Sequence, residues 1–239
     1  MSFRNRLIVG VALFSGLAFL PARADADSID FLGVGRNSTV SIGGVRTGTF
    51  AAGELNWQWL TATPEGFAQS FYAYCVDVTQ NLRDPQTVTP RTTAGFTNGV
   101  VDGGAKAAWL VNTFAGSIHA LTNISEANTK AAALQVAIWD AMYDTTAGLV
   151  NTGSGVNNFY LTGASLTNTA VKTQAETYLS MLYGSDGHSY NTSIARLVEV
   201  RSPNLGQDQI VRSVSEPSTL LLMGIATLAF VRRSRKPAA

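Results

Sequence analysis

From residue 25 onward the chain passes through three zones of hydrophobic patterning. In the first, apolar and polar residues alternate in short runs: 28–32, 38–42, 45–50, and 55–61 around Trp57 and Trp59. A period of two sends alternate side chains to opposite faces, so these runs predict strands of an antiparallel sheet. Gly43-Gly44 between two of them is a hairpin turn signal. A fifth run, Gln69 to Val78, continues the alternation. Within it Tyr72, Tyr74, Val76 and Val78 share one face, the expected core face. Phe71, Ala73, Cys75 and Asp77 share the other, which puts the cysteine beside a small residue and an acid.

The second zone changes period. Residues 84–97 carry Pro85 and Pro90 and predict a loop or linker. Ala105 to Phe114 predicts a short amphipathic helix, and a long helix follows over about 125–144. Asn123 with Glu126 three residues later forms a capping-box signature at its start. Ala131, Leu134, Ile138, Trp139 and Met142 define one apolar stripe along this helix. Gln135 falls inside that stripe. A glutamine there must find hydrogen-bond partners or lie at the rim beside water. Residues 148–163 predict a surface loop, and 167–183 a third helix.

In the third zone the strand pattern returns, at 190–200 and again at 206–211. Gln207 and Gln209, two residues apart, point to the same face of the last strand. These elements predict a mainly β fold, an antiparallel sandwich or barrel-like sheet, with a helical subdomain inserted at about 104–183.

Composition adds an address. Charged residues are 14% and hydrophobic residues 46% of the 239, a charged share well below the usual quarter or so. The profile suits an extracellular, turn-rich β domain. The formal net charge is +1, but seven of the 17 basic residues sit at the two ends. The body between them holds ten basic and 15 acidic residues, a net of −5. An acidic body argues against nucleic acid as a partner.

The basic ends have other work. Arg4 and Arg6 precede an apolar run from Leu7 to Leu20, and Ala22-Arg23-Ala24 is an A-x-A cleavage site. Residues 1–24 thus predict a signal peptide handled by the Sec export machinery, with Asp25 as the mature start. At the other end Glu216-Pro217 leads into an apolar run over 219–231, closed by Arg232, Arg233, Arg235 and Lys236. A short apolar helix ending in arginines predicts a membrane segment with its positive end in the cytoplasm. The order of these parts resembles the PEP-CTERM sorting signal, which exosortase-type enzymes of Gram-negative bacteria process. Ser215 stands where that motif usually has its first proline. The resemblance implies a domain over 25–215, a sorting tail over 216–239, and a location in the cell envelope, on the outer surface or in the extracellular matrix. Anchoring by the tail would be transient.

Cys75 is the only cysteine. In an exported chain a lone cysteine is a cross-link to another chain, a reactive thiol or a small buried hydrophobe. Three stretches suggest a further state. Tyr74-Cys75-Val76-Asp77, Gln135-Val136-Ala137-Ile138-Trp139 and the glutamines of the last strand together resemble the Cys–Gln thioester domains of bacterial surface adhesins. The family's helix motif is Thr-Gln-x-Ala-Ile/Val-Trp, and Leu134 replaces its threonine here. The resemblance implies a thioester between Cys75 and a late-strand glutamine, Gln207 or Gln209, with Gln135 supporting the site beside Trp139 and Asp77. It also implies covalent attachment to a ligand that bears an amine or hydroxyl, used once rather than turned over, with no cofactor.

Two other classes stand beside this expectation. One is a non-covalent structural or matrix protein of the same fold whose cysteine is merely buried. The other is a Cys/His hydrolase or transferase using His119 or His188, for which the sequence offers no third partner and no nucleophile turn. Metal-ligand and phosphate-loop motifs are absent from the sequence.

Overall fold

The structure, a computed structural model, describes residues 27–98, 100–144, 159–163, 165, 169–184, 190, 195–200 and 206–212. The expected signal peptide, His188 and the sorting tail lie outside them. Among the described residues no helix is long and apolar enough to cross a membrane.

Among the described residues seven antiparallel strands organise the fold, as the alternating pattern predicts. They are β1 (Asp27–Gly44), β2 (Gly48–Trp59), β3 (Ser70–Cys75), β4 (Gln86–Thr92), β5 (Phe159–Leu161), β6 (Ala195–Val200) and β7 (Gln209–Arg212). The strand order is β2-β3-β7-β6-β4-β1-β5, and β1 also pairs with β2. Six strands therefore form a closed ring, and β5 adds to the far end of β1. Closure removes the free edges that an open sheet exposes.

The first two strands form one long hairpin, paired from Ile29–Trp59 to Ile42–Gly48. The two runs expected at 28–32 and 38–42 are parts of a single strand interrupted by bulges, between Phe31 and Gly33 and between Val34 and Asn37. Gly53 explains how the second bulge fits. Its φ is +143°, and a Cβ there would lie 2.1 Å from the carbonyl oxygen of Arg36. Only glycine lets the two backbones approach so closely.

The segment read as a linker contains a strand, β4. Its two prolines masked it. Val88 is the last β4 residue paired with β1, whereas pairing with β6 runs on to Thr92. Pro90 thus sits where β4 has a partner on one side only, a place that tolerates a missing N–H. Part of the expected loop at 148–163 is also strand, since β5 pairs with residues 42–44 of β1.

Between β4 and β5 run α1 (Gly103–Leu110), a π-helical turn over Val111–Ala115, α2 (Gly116–His119) and α3 (Ile124–Tyr143). A further helix, α4 (Thr169–Tyr183), precedes β6. Asn123 caps α3 through a bond to its Oδ1 from the Glu126 N–H, 3.2 Å. The side chain of Glu126 does not complete a capping box; it pairs with Lys130 at 2.7 Å.

The pattern of α3 predicts one buried stripe. The helix is instead buried on every side from Ala131 to Tyr143. It packs on β1 and β2 in one direction and on α1 and α4 in the other. Its many alanines let these neighbours come close, and they favour the helix intrinsically. Total enclosure brings polar residues inside with it: Gln135, Asp140 and, just beyond the end, Asp144 are all buried.

Candidate functional site

β3 carries Cys75 at its last position, not in mid-strand as the alternation implies. The strand ends because Asp77 folds the next residues into a turn. Its Oδ1 accepts from the Thr79 N–H (2.9 Å) and the Thr79 hydroxyl, and its Oδ2 accepts from Gln80 Nε2 (2.6 Å). Asp77 is 5% exposed and therefore belongs to the buried turn. Both faces are covered here: Phe71, Ala73, Cys75 and Asp77 are buried on one, and Tyr74, Val76 and Val78 on the expected core face, where Tyr72 is the exception at 46% exposed. Its ring lies against that of His119, with centroids 4.0 Å apart.

Cys75 stands directly opposite Gln209 of β7. In an antiparallel ladder, hydrogen-bonded pairs alternate with close non-bonded pairs. The next residue, Val76, donates its N–H to the Asp208 carbonyl at 3.0 Å. The Cys75–Gln209 pair is therefore of the close type, in which Cα atoms are about 4.5 Å apart and side chains lie nearest each other. By the same alternation the N–H and C=O of Cys75 point away from β7.

That direction should lead to β2, but the β2–β3 pairing stops at Leu55–Ala73. Gln135 of α3 takes the place of the missing strand. The Cys75 N–H donates to Gln135 Oε1 at 2.9 Å, and Gln135 Nε2 donates to the Cys75 carbonyl at 2.7 Å. One side-chain amide thus supplies both halves of a backbone bridge. This is the partner that the buried glutamine requires.

Two further residues of the same helix face reach the turn. Trp139, one turn on, lines the same cleft as Cys75, and its buried indole N–H has no hydrogen-bond partner. Tyr143, a turn later, donates its hydroxyl to Asp77 Oδ1 at 3.0 Å. Asn98 joins them, donating to the Val76 carbonyl (3.1 Å) and the Tyr143 hydroxyl (2.9 Å). Neither Tyr143 nor Asn98 stands out in the sequence. The spacing 135, 139, 143 is the signal for Tyr143, because residues four apart share a helix face.

The thiol itself is 3% exposed and donates to the Asp77 carbonyl, Sγ to O 3.1 Å. Burial pushes its pKa well above the ordinary thiol range, against the opposing effect of the Trp139 indole. A free Cys75 thiol is thus protonated at neutral pH and almost wholly covered. In its free form it is expected to react with iodoacetamide at least about tenfold more slowly than the same thiol in the unfolded chain. Mass spectrometry of timed samples measures this, and equal rates in the two states would contradict the burial.

The late glutamines are placed differently. Gln209 is fully buried; its Nε2 donates to the Gln207 carbonyl at 3.0 Å, and its Oε1 has no hydrogen-bond partner. Gln207 donates to the Gln80 carbonyl at 3.3 Å and lines a cleft of about 260 Å³. Cys75, Gln135 and Trp139 line the same cleft.

His119 belongs elsewhere. Its Nδ1 accepts from Arg36, 2.8 Å, and that guanidinium also pairs with the buried Glu54 at 3.1 Å. His119 lines a second cleft with Glu54, Tyr72 and Tyr74, and Cys75 is not part of that cleft.

Comparison with known proteins places the tail. The PEP-CTERM protein-sorting motif matches residues 213–236. The chain carries the sorting signal of an exported, envelope-directed protein that an exosortase processes. Ser215, Glu216, Pro217, Arg232 and Arg233 fall inside the matched segment. No curated protein and no solved structure matches the chain.

Proposed function

We propose that this exported protein holds an internal thioester between Cys75 and Gln209 and uses it once, to attach itself covalently to a ligand at the cell surface or in the extracellular matrix. The observation that carries the reading is the close, non-bonded pairing of Cys75 with Gln209, whose carboxamide oxygen is buried without a partner. Gln135 adds to it by fixing the cysteine backbone through two bonds. Gln207 is the alternative partner: it precedes β7, but it lines the cleft beside Cys75.

The chemistry balances without a cofactor. The Cys75 sulfur attacks the side-chain amide carbon, the C–S bond forms, the C–N bond breaks, and ammonia departs with the thiol proton. Fixed proximity lowers the barrier to a step that neither group undertakes alone. Exclusion of water protects the product from hydrolysis. A nucleophile on the ligand later attacks the acyl carbon, and Cys75 leaves as a thiol. Each protein molecule acts once, so this is attachment and not enzymatic turnover.

A specific observation favours a second reading. The thiol is buried and already donates to the Asp77 carbonyl, as a satisfied core cysteine of a non-covalent surface protein would. Methylamine labelling followed by peptide mapping separates the two. The thioester reading expects methylamide on Gln209 and one newly titratable thiol. Label on Gln207 would move the bond to that residue, and no label on either would leave the second reading.

A further inference from the structure

We propose that the cleft over Cys75 selects an uncharged hydroxyl of the polyol or saccharide class over an ammonium-bearing amine. The inference rests on the thioester reading above and names the acceptor for the same site.

The cleft's walls decide it. Phe31, Phe50 and Trp139 supply aromatic faces, and Gln80, Asn81 and Gln207 supply neutral amides. Among the described residues that line the cleft there is no carboxylate, and the one charged group is Arg46. That guanidinium is held in place by several contacts. It donates to the carbonyls of Val78 (3.0 Å) and Gln80 (3.1 Å) and to Asn81 Oδ1 (2.6 Å), and it stands over the Phe50 ring, 4.9 Å from the centroid. Asp77 and Asp208 act on the thiol electrostatically, but neither lines the cleft. Asp77 commits both carboxylate oxygens to Thr79, Gln80 and Tyr143.

A lysine side chain, with a pKa of about 10.4, arrives as a cation. Entering this cleft would strip its water and bring it beside the fixed Arg46 guanidinium, with no carboxylate in the lining to pair with it; Asp77 and Asp208 act only from behind the wall. A hydroxyl arrives neutral. Aromatic faces flanked by amides also suit a ligand with apolar C–H faces and several hydroxyls.

The transfer step closes on the site's own groups. The hydroxyl oxygen attacks the thioester carbon, a C–O bond forms, the C–S bond breaks, and the hydroxyl proton ends on sulfur. Burial raises the proton affinity of the departing sulfur, which makes Cys75 the base for the step it completes.

The test uses the exported protein at pH 7, mixed in parallel with glycerol or with N-acetyl-lysine amide at equal concentration and followed by intact mass. The glycerol ester is expected to accumulate about tenfold faster than the lysine adduct. Val34, 43% exposed, lines the cleft, and Val34→Asp is expected to shift the lysine-to-glycerol ratio about threefold toward lysine. If the starting protein lacks the mass of one ammonia and lysine couples as fast as glycerol or faster, the acceptor assignment is overturned and the thioester stands. If the starting protein has its full mass and neither probe couples, the thioester reading fails and the acceptor assignment falls with it.

Discussion

Gln135→Ala is expected to destabilise the protein by about 3–5 kcal/mol, enough to remove much of the stability of an ordinary domain. Two terms add. Truncation opens a cavity around a helix enclosed on every side. It also strands the Cys75 N–H and C=O, which face away from β7 and have the Gln135 amide as their partner; each buried orphan costs about 1–3 kcal/mol. Gln135→Met separates the terms, because it refills the volume and still leaves both groups unpaired. It is expected to lose at least about 2 kcal/mol. Urea unfolding measures both variants, and a Met variant as stable as the parent would show that the clamp contributes nothing.

The opposite sign is expected for Asp140→Asn, a gain of roughly 1–3 kcal/mol at neutral pH. Asp140 is fully buried near the C-terminal end of α3, and neither carboxylate oxygen has a hydrogen-bond partner. Burial, with Asp144 one turn on, pushes its pKa well above the usual carboxylate range, and Lys106 only partly opposes this. The helix dipole is also unfavourable to an anion at this end. The folded carboxyl therefore keeps its proton to higher pH than the unfolded one. Across that window the folded state binds more protons, so stability falls as pH rises above the unfolded value of about 4. The asparagine variant should lose that part of the pH dependence and gain most where the parent is ionised. A parent whose stability is flat with pH, or an asparagine variant less stable than the parent at pH 7, would contradict this account.

Particular residues show how much could be read from the chain alone. Strand alternation and the Gln135 position were legible because burial acts residue by residue: a glutamine inside an apolar stripe needs partners whatever surrounds it. The identity of those partners was not legible. It depends on where β2 stops pairing with β3, at Leu55–Ala73. The choice between Gln207 and Gln209 was hidden for a related reason. Both have the same parity in the expected strand at 206–211, but β7 begins only at Gln209, which lies opposite Cys75, and Gln207 precedes it. Tyr74, Val76 and Val78 are buried on the expected core face, and Tyr72 alone departs from it, because a period of two does not say how far along a strand that face stays covered. β4 was hidden by Pro90, which is acceptable only because β1 does not pair with that end of the strand.

The measurement that tests the central claim most directly is the intact mass of the exported protein, purified without amines and compared with Cys75→Ala after correction for the substitution. A Cys–Gln thioester requires the parent to be lighter than its sequence by one ammonia. Methylamine should then add its own mass and free one thiol, and the alanine variant should show neither change. A parent at full mass, with one thiol that titrates on unfolding and no response to methylamine, would contradict the thioester and leave Cys75 as a core residue of a non-covalent surface protein.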